Sequence, residues 1–423
     1  MVESTIVSRK MIKPSSPTPS SLSRHNLCFL DHIATSAYAP IAVFYPKPTN
    51  NISQILENSL SKVLSSYYPF AGIITDNKYV DCNDTGAEFL NVRISCSMSE
   101  ILDHAYNDAI DVVFPPDLPW TSSFGRSPLV VQLSHFDCGG IAISICLSHK
   151  IVDGYSLFKF LKDWAATSQH LDFKPSTQFD ANSFFPLMDD PPVLLRDIVR
   201  EPQRCVSRIY HFSSSSLDRL KEIVAMNSQV QNPTRVEVAT ALLHKCGASV
   251  SMTINSGVFQ PSLLFHVMNF RPPLPLNTIG NACSAFASAA ILENEIQVPN
   301  FVAQLREAKK HLQDKLKDPE QLTSYVLETI KGTTNKTEKN IVFDFYMCTS
   351  LCNFGLHNID FGWGNPIRVT VATNSMKNHF IFMDSPSGDG IDVLITLTEA
   401  DMLIFHNNKE LLEFASPVVL PQE

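Results

Sequence analysis

The sequence predicts a mixed α/β protein with substantial antiparallel sheet, in two halves joined near residue 190. Three observations predict this. Helical spacing of apolar residues at Ile52–Tyr67 and Tyr155–Trp164 is interspersed with short strand-like runs. Two apolar runs, Leu129–Leu133 and Ile141–Leu147, flank a turn at Asp137-Cys138-Gly139-Gly140 and read as an antiparallel hairpin. From His170 to Arg204 periodicity disappears while prolines recur at Pro175, Pro186, Pro191, Pro192 and Pro202, the pattern of a crossover. With 423 residues, 44% of them hydrophobic, the chain has enough apolar surface for two or three domains.

A Pro-rich lead (Pro14, Pro17, Pro19) precedes the first helix, in which Ile52, Ile55, Leu56, Leu60, Val63, Leu64 and Tyr67 share one stripe until Pro69 and Gly72 stop it. A strand follows at Tyr79–Cys82 and a polar turn at Asn83–Gly86. In the second hairpin strand Ile141, Ile143, Ile145, Leu147 and His149 fall on one face, because strand side chains alternate. Beyond the crossover, Thr234-Arg235-Val236-Glu237 is a capping box: Thr234 accepts from the amide three residues on, and Glu237 reaches back. A polar helix is predicted over Phe301–Lys317, and strands at Ile341–Cys348, Ile367–Thr373, His379–Met383 and Ile391–Leu397.

Composition excludes several function classes. Lys+Arg total 33 against 42 Asp+Glu, a net charge of -9, so the dense cationic footprint of a nucleic-acid binder is missing. Lys309, Lys310, Lys315 and Lys317 alternate with Glu307, Asp314 and Asp318 and read as a solvated helix face. Only 15 glycines are present, which argues against phosphate-cradling loops. The ten cysteines show no disulfide framework, and no His/Cys pairing has metal-ligand spacing. No GxSxG elbow appears. Met1–Ser21 lacks an apolar signal core and no run is long enough to span a membrane, so the expectation is a soluble cytosolic protein.

Chemistry concentrates at Ser148-His149-Lys150-Ile151-Val152-Asp153-Gly154, at the end of a buried strand. Taken alone, two readings of His149 stand: a core histidine satisfied by a backbone group, or a general base, since imidazole titrates near neutrality. A second cluster is Asp360-Phe361-Gly362-Trp363-Gly364. Together the two resemble HxxxD and DFGWG, the signatures of the BAHD superfamily of plant acyl-CoA-dependent acyltransferases. Further matching pieces occur in the same order: Ile12-Lys13-Pro14, Ser16-Pro17-Thr18-Pro19, Leu27–Asp31, Tyr67–Gly72, Asp81–Asp84, Asn269–Pro272, Ile279-Gly280-Asn281 and Gly388–Ile391. The resemblance thus spans nearly the whole chain, and within the family it looks nearest nightshade acylsugar acyltransferases.

The resemblance implies a two-domain chloramphenicol-acetyltransferase-like fold with an active-site channel between the domains. It divides the chain into an N-terminal domain at 1–185, a linker at 186–210 and a C-terminal domain at 211–423, with a segment after residue 360 returning to the first. It implies that His149 deprotonates an acceptor hydroxyl for direct attack on the thioester of acyl-CoA, a cosubstrate, with no permanently bound cofactor, no metal and no acyl-enzyme. Asp360 is counted with His149 in the catalytic motifs, although in the family it lies far away and reads as structural. Asp153 is expected to pair with Arg271 and, with Gly154, to fix the His149 loop. Trp363 either helps shape the channel, donates to the developing oxyanion or packs a strand end. Thr234 and Arg235, at a helix N-terminus, are the candidates for CoA phosphate. The expected acceptor is sucrose or a partly acylated sucrose; the alternative is an alkaloid or other specialised-metabolite alcohol. A monomer is expected. Ile73, Leu351 and His357 depart from residues common in the family and bear on the acceptor and acyl pockets; His357 reads as packing rather than as a second base.

Overall fold

The computed structural model describes residues 2–188, 203–338 and 343–418, apart from positions 47, 49, 105, 106 and 375. The first half carries strands β1 (Ser4–Ile12), β2 (Arg24–Asn26), β3 (Tyr38–Tyr45), β4 (Ile73–Ile74), β5 (Tyr79–Asp81), β6 (Ala87–Ile94), β7 (Leu129–Phe136) and β8 (Ile141–Ser148). The second carries β9 (Cys205–Phe212), β10 (Ser262–Asn269), β11 (Cys283–Ala290), β12 (Asp344–Ser350), β13 (Arg368–Thr370), β14 (His379–Asp384), β15 (Ile391–Thr398) and β16 (Ser416–Pro417). One sheet has six strands in the order β1-β6-β7-β8-β3-β13, a second has seven in the order β11-β10-β12-β14-β15-β9-β16, and β2-β5-β4 form a small ribbon. Both large sheets are mixed: β6 runs parallel to β7, and β12 runs parallel to both β10 and β14.

The helices that matter for the site are α1 (Phe29–Ile33), α2 (Ile52–Leu64), α3 (Met98–Leu102), α4 (Gly154–Gln169), α5 (Ser214–Asn227), α6 (Arg235–Ile254) and α7 (Val298–Lys315). All eight residues of β8 are buried. Its alternation divides two cores: Ile141, Ile143, Ile145 and Leu147 pack with Leu56, Leu60 and Val63 of α2 and with Phe160, Leu161 and Trp164 of α4. Ala142 and Cys146, on the other face, meet Phe44, Phe136 and Ile101. Each such aliphatic side chain contributes about 1.5–3 kcal/mol on leaving water, so the strand that ends at His149 is anchored on both faces. A third core joins α5, α6 and α7 to one face of the second sheet. The opposite face of that sheet sends Ile209, Ile381, Met383 and Leu394 into the core of the first half, so the halves share an apolar seam.

Several elements depart from the sequence expectation, among them four strands. Cys205–Phe212 is a strand, so the last part of the expected linker 186–210 belongs to the second sheet; residues 189–202 lie outside those described. The lead segment forms β1, an edge strand whose residues are mostly exposed and so carry no alternating signal. The strand expected at Ile341–Cys348 begins at Asp344, residues 341 and 342 lying outside those described, and the one expected at Ile367–Thr373 is confined to Arg368–Thr370. That short strand, β13, leaves the second half and pairs antiparallel with β3, Arg368 opposite Phe44.

Candidate active site

The site is built on the loop between β8 and α4. The His149 amide donates to Ala37 O at 3.0 Å, and a turn closes as Ile151 N donates to Ser148 O at 3.2 Å. Asp153 then caps α4, its Oδ1 accepting from Ser156 N at 2.9 Å. Its other oxygen accepts from Arg271 Nη1 at 2.7 Å and from Ala282 N at 2.9 Å, so Asp153 points into the second half and not toward the His149 ring. The Arg271 guanidinium is fully enclosed and donates to Thr278 O, Asn269 Oδ1, Ser156 Oγ and Gly280 O. Its face lies 4.8 Å from the Tyr155 ring centroid. A buried ion pair is tolerable only when its remaining hydrogen-bonding groups are met, and here they are. Gly154 starts α4 where Leu351 presses close: a Cβ there would stand 3.0 Å from Leu351 Cδ2.

His149 itself is half-buried. Its Nδ1 is sealed from solvent without a hydrogen-bond partner among the described residues. Nε2 is not among the sealed atoms and bonds to no described group, which leaves it able to meet a substrate proton. Lys150, 2% exposed, turns the opposite way and donates to His32 O at 2.9 Å.

The second motif does not come near this loop. Asp360 Oδ1 accepts from Gly362 N at 2.7 Å and Gly364 N at 2.8 Å. Both glycines have positive φ, +107° and +98°, which side-chain-bearing residues adopt poorly, so the motif is a self-closed turn. Gln169 Nε2 and Ser168 Oγ tie it to the C-terminal end of α4, 15 residue steps from Gly154 and so about 22 Å along the helix. Trp363 packs edge-on against Tyr45, centroids 6.0 Å apart. Tyr45 pairs with Ile141 while Tyr38 pairs with Ser148, which sets Trp363 roughly 23 Å of strand away from His149. The oxyanion option for Trp363 and a chemical role for Asp360 are therefore overturned; both support the fold.

A cavity of about 770 Å³ adjoins the ion pair, lined among others by Thr234, Asn269, Arg271, Lys309, Lys317 and Phe354. All of its lining residues lie between 234 and 354, so it belongs to the second half; it meets the His149 loop at Arg271 and at Phe354, whose ring packs against Tyr155. Thr234 and Glu237 form the capping box, Glu237 N to Thr234 Oγ1 at 3.2 Å and Thr234 N to Glu237 Oε2 at 2.8 Å. Arg235 does not line the cavity; it lies 3.6 Å from Asp384. Lys309, half-buried, lines it, contrary to the expectation of a purely solvated face; Lys317 borders it too, but is exposed and pairs with Asp314 at 2.7 Å as a solvated face would. His357 bonds through Nε2 to Asp384 O at 2.9 Å, and burial pushes it below its ordinary value. Ile73 sits in β4 opposite Asp81. Among the described residues there is no cluster of metal-ligating side chains, and all ten cysteines are free.

A family model described as Transferase family matches residues 2–412. The chain belongs to the BAHD acyltransferases. This BAHD chain is 60% identical over 99% of both chains to acylsugar acyltransferase 3 of Solanum lycopersicum. It is 42% identical to 17,18-epoxy-17-hydroxycur-19-ene N-malonyltransferase of Strychnos nux-vomica, over 97% of this chain and 90% of that one. Its fold matches crystalline vinorine synthase with a TM-score of 0.82 at 29% identity, over 98% and 99% of the two chains. It is an acyl-CoA-dependent acyltransferase with the mixed α/β architecture of its family.

The BAHD site contains residues that the sequence left unmarked. Lys309 faces a cavity only because α7 lies against α6 and the second sheet. Asn281 and Asp31 meet behind His149 across a separation of 250 residues. No local pattern announces either arrangement; the only sequence signal was membership of Leu27–Asp31 and Ile279-Gly280-Asn281 in the resemblance.

Proposed function

We propose that this BAHD acyltransferase moves an acyl group from acyl-CoA to a hydroxyl of sucrose or a partly acylated sucrose. The observation that carries the reading is the 60% identity to an acylsugar acyltransferase over 99% of both chains. His149 is the general base. Its open Nε2 takes the acceptor's proton as the hydroxyl oxygen attacks the thioester carbonyl; the tetrahedral intermediate collapses and expels CoA thiolate, which leaves as the thiol with the proton from the imidazolium. Direct transfer needs no thiol nucleophile, and burial, with Asp153, raises the Cys283 thiol far above its ordinary value.

The cavity bounded by Thr234 and Lys309 is the place for CoA, whose phosphates suit an ammonium group near a helix N-terminus; Lys317, on its rim, is paired with Asp314 at 2.7 Å. Arg235, engaged with Asp384, is a weaker candidate than Lys309. A cytosolic monomer completes the proposal, checked by fractionation and size-exclusion.

The test is the purified protein with a panel of acyl-CoAs against sucrose, acylsucroses and alkaloid alcohols, with products read by mass. Ester formation on a sucrose scaffold is expected; transfer only to alkaloid alcohols would refute the acceptor class. His149→Ala is expected to lower turnover by about 100- to 10,000-fold, and full turnover would refute the base assignment.

A further inference from the structure

His149 lacks the device that commonly aims a histidine base. In many sites the second ring nitrogen is held by a carboxylate or carbonyl, which fixes the ring. Here Nδ1 meets no partner among the described residues. The aim of the ring therefore depends on the main chain of residue 149, and both of its polar groups are held. The amide donates to Ala37 O at 3.0 Å. The carbonyl accepts from Asn281 Nδ2 at 2.8 Å.

That nitrogen has two protons, and the second goes to Asp31 Oδ1 at 2.9 Å. Asn281 N also donates to Asp31 Oδ1, at 3.0 Å, while Asp31 Oδ2 accepts from Cys28 N at 3.0 Å. Asn281 and Asp31 are each 2% exposed. Asn281 sits in the connection from β10 to β11, so the second half holds the His149 peptide from one side while Arg271 holds Asp153 four residues on. Both partners of Nδ2 are acceptors, a carbonyl and a carboxylate, so the position demands a donor of amide geometry.

We infer that Asn281 is a positioning residue for acyl transfer: its amide fixes the His149 peptide unit and with it the direction in which Nε2 meets the acceptor hydroxyl. The inference rests on the reading of His149 as general base. Asn281 touches neither substrate nor the reacting atoms; it acts through the residue that does.

The experiment compares Asn281→Asp, Asp31→Asn and His149→Ala with the parent, measuring kcat, KM for acyl-CoA and thermal melting. Asn281→Asp keeps the shape but faces two acceptors with a third. It is expected to lower kcat by about 10- to 100-fold while KM for acyl-CoA stays within about twofold and the protein stays folded at assay temperature. Asp31→Asn must give up either the Cys28 amide or the Asn281 donors but keeps the amide bond to His149 O itself, so it is expected to lower kcat less than Asn281→Asp does. The inference is overturned by Asn281→Asp retaining kcat, by Asp31→Asn losing as much as Asn281→Asp, or by Asn281→Asp melting below assay temperature, which would make the residue a support of the fold first. An active His149→Ala overturns the base reading beneath it; an inactive His149→Ala beside a fully active Asn281→Asp overturns this inference alone.

Discussion

Asp153 and Arg271, 118 residues apart in the chain, meet at 2.7 Å with the arginine side chain wholly buried, and the carboxylate that caps α4 is thereby also the anchor of the second half. Removing Asp153 strands a buried guanidinium, which costs about 3–5 kcal/mol. Asp153→Ala is expected to lower the urea midpoint accordingly, and the double variant Asp153→Ala/Arg271→Met to regain part of that loss. Equal midpoints for Asp153→Ala and the parent would sink the assignment.

The self-closed turn at Asp360 separates the second motif from the chemistry. Asp360→Ala frees the amides of Gly362 and Gly364 and is expected to cost about 1–3 kcal/mol of stability. Trp363→Phe keeps an aromatic ring against Tyr45, and its kcat is expected within about threefold of the parent. A selective collapse of kcat in Trp363→Phe, with melting unchanged, would place the indole in the reaction after all.

Lys309 is half-buried on the cavity wall, so its charge is less screened than that of a free surface lysine. Lys309→Ala is expected to raise KM for acyl-CoA by about 3- to 10-fold with little change in kcat, an effect that shrinks as salt rises. An unchanged KM at low ionic strength would remove Lys309 from the CoA site.

His244 lies at the centre of the second half, stacked on Phe301 with centroids 4.0 Å apart and bonded through Nε2 to Ser262 Oγ at 2.9 Å. Burial pushes its pKa from 6.5 down to about 3. The folded value lies below the unfolded one, so this group's stabilisation is complete above pH 6.5 and is lost as pH falls from 6.5 toward 3, when the unfolded chain takes up a proton that the folded chain refuses. His266 and His379, each lowered by burial to about 4, add to the same trend. The melting temperature is expected to fall between pH 7 and pH 5. His244→Asn should flatten that slope by about one proton equivalent; an undiminished slope would show that His244 is not a contributor.

Local physics was legible in the sequence where it was self-contained. The capping box at Thr234 and Glu237, the β7–β8 hairpin and the apolar stripe of α2 each form from residues within one segment, and they stand in the structure with shifts of a few residues at their ends. β1, mostly exposed, and β11, Cys-Ser-Ala-Phe-Ala-Ser-Ala-Ala, carry no strong alternation or β-branched run, so neither was visible. The partner of Asp153 came from the family resemblance, since nothing in the residues around position 153 points to position 271. For Trp363 the sequence left packing and an oxyanion role both open, and the structure packs it against Tyr45. The tie from Asn281 to His149 depends on the chain returning to the same place across a separation of 132 residues, and no periodicity encodes that.

β13 joins the sheet of the first half although its residues follow those of the second. The unit that carries the base loop is thus discontinuous in the gene. A fragment ending in the crossover would expose the naked edge of β3, a template for aggregation. Recombining this enzyme with a relative to exchange acceptor or donor preference therefore calls for breakpoints on both sides of residues 360–373 as well as in the crossover, so that the borrowed strand travels with the sheet that it completes.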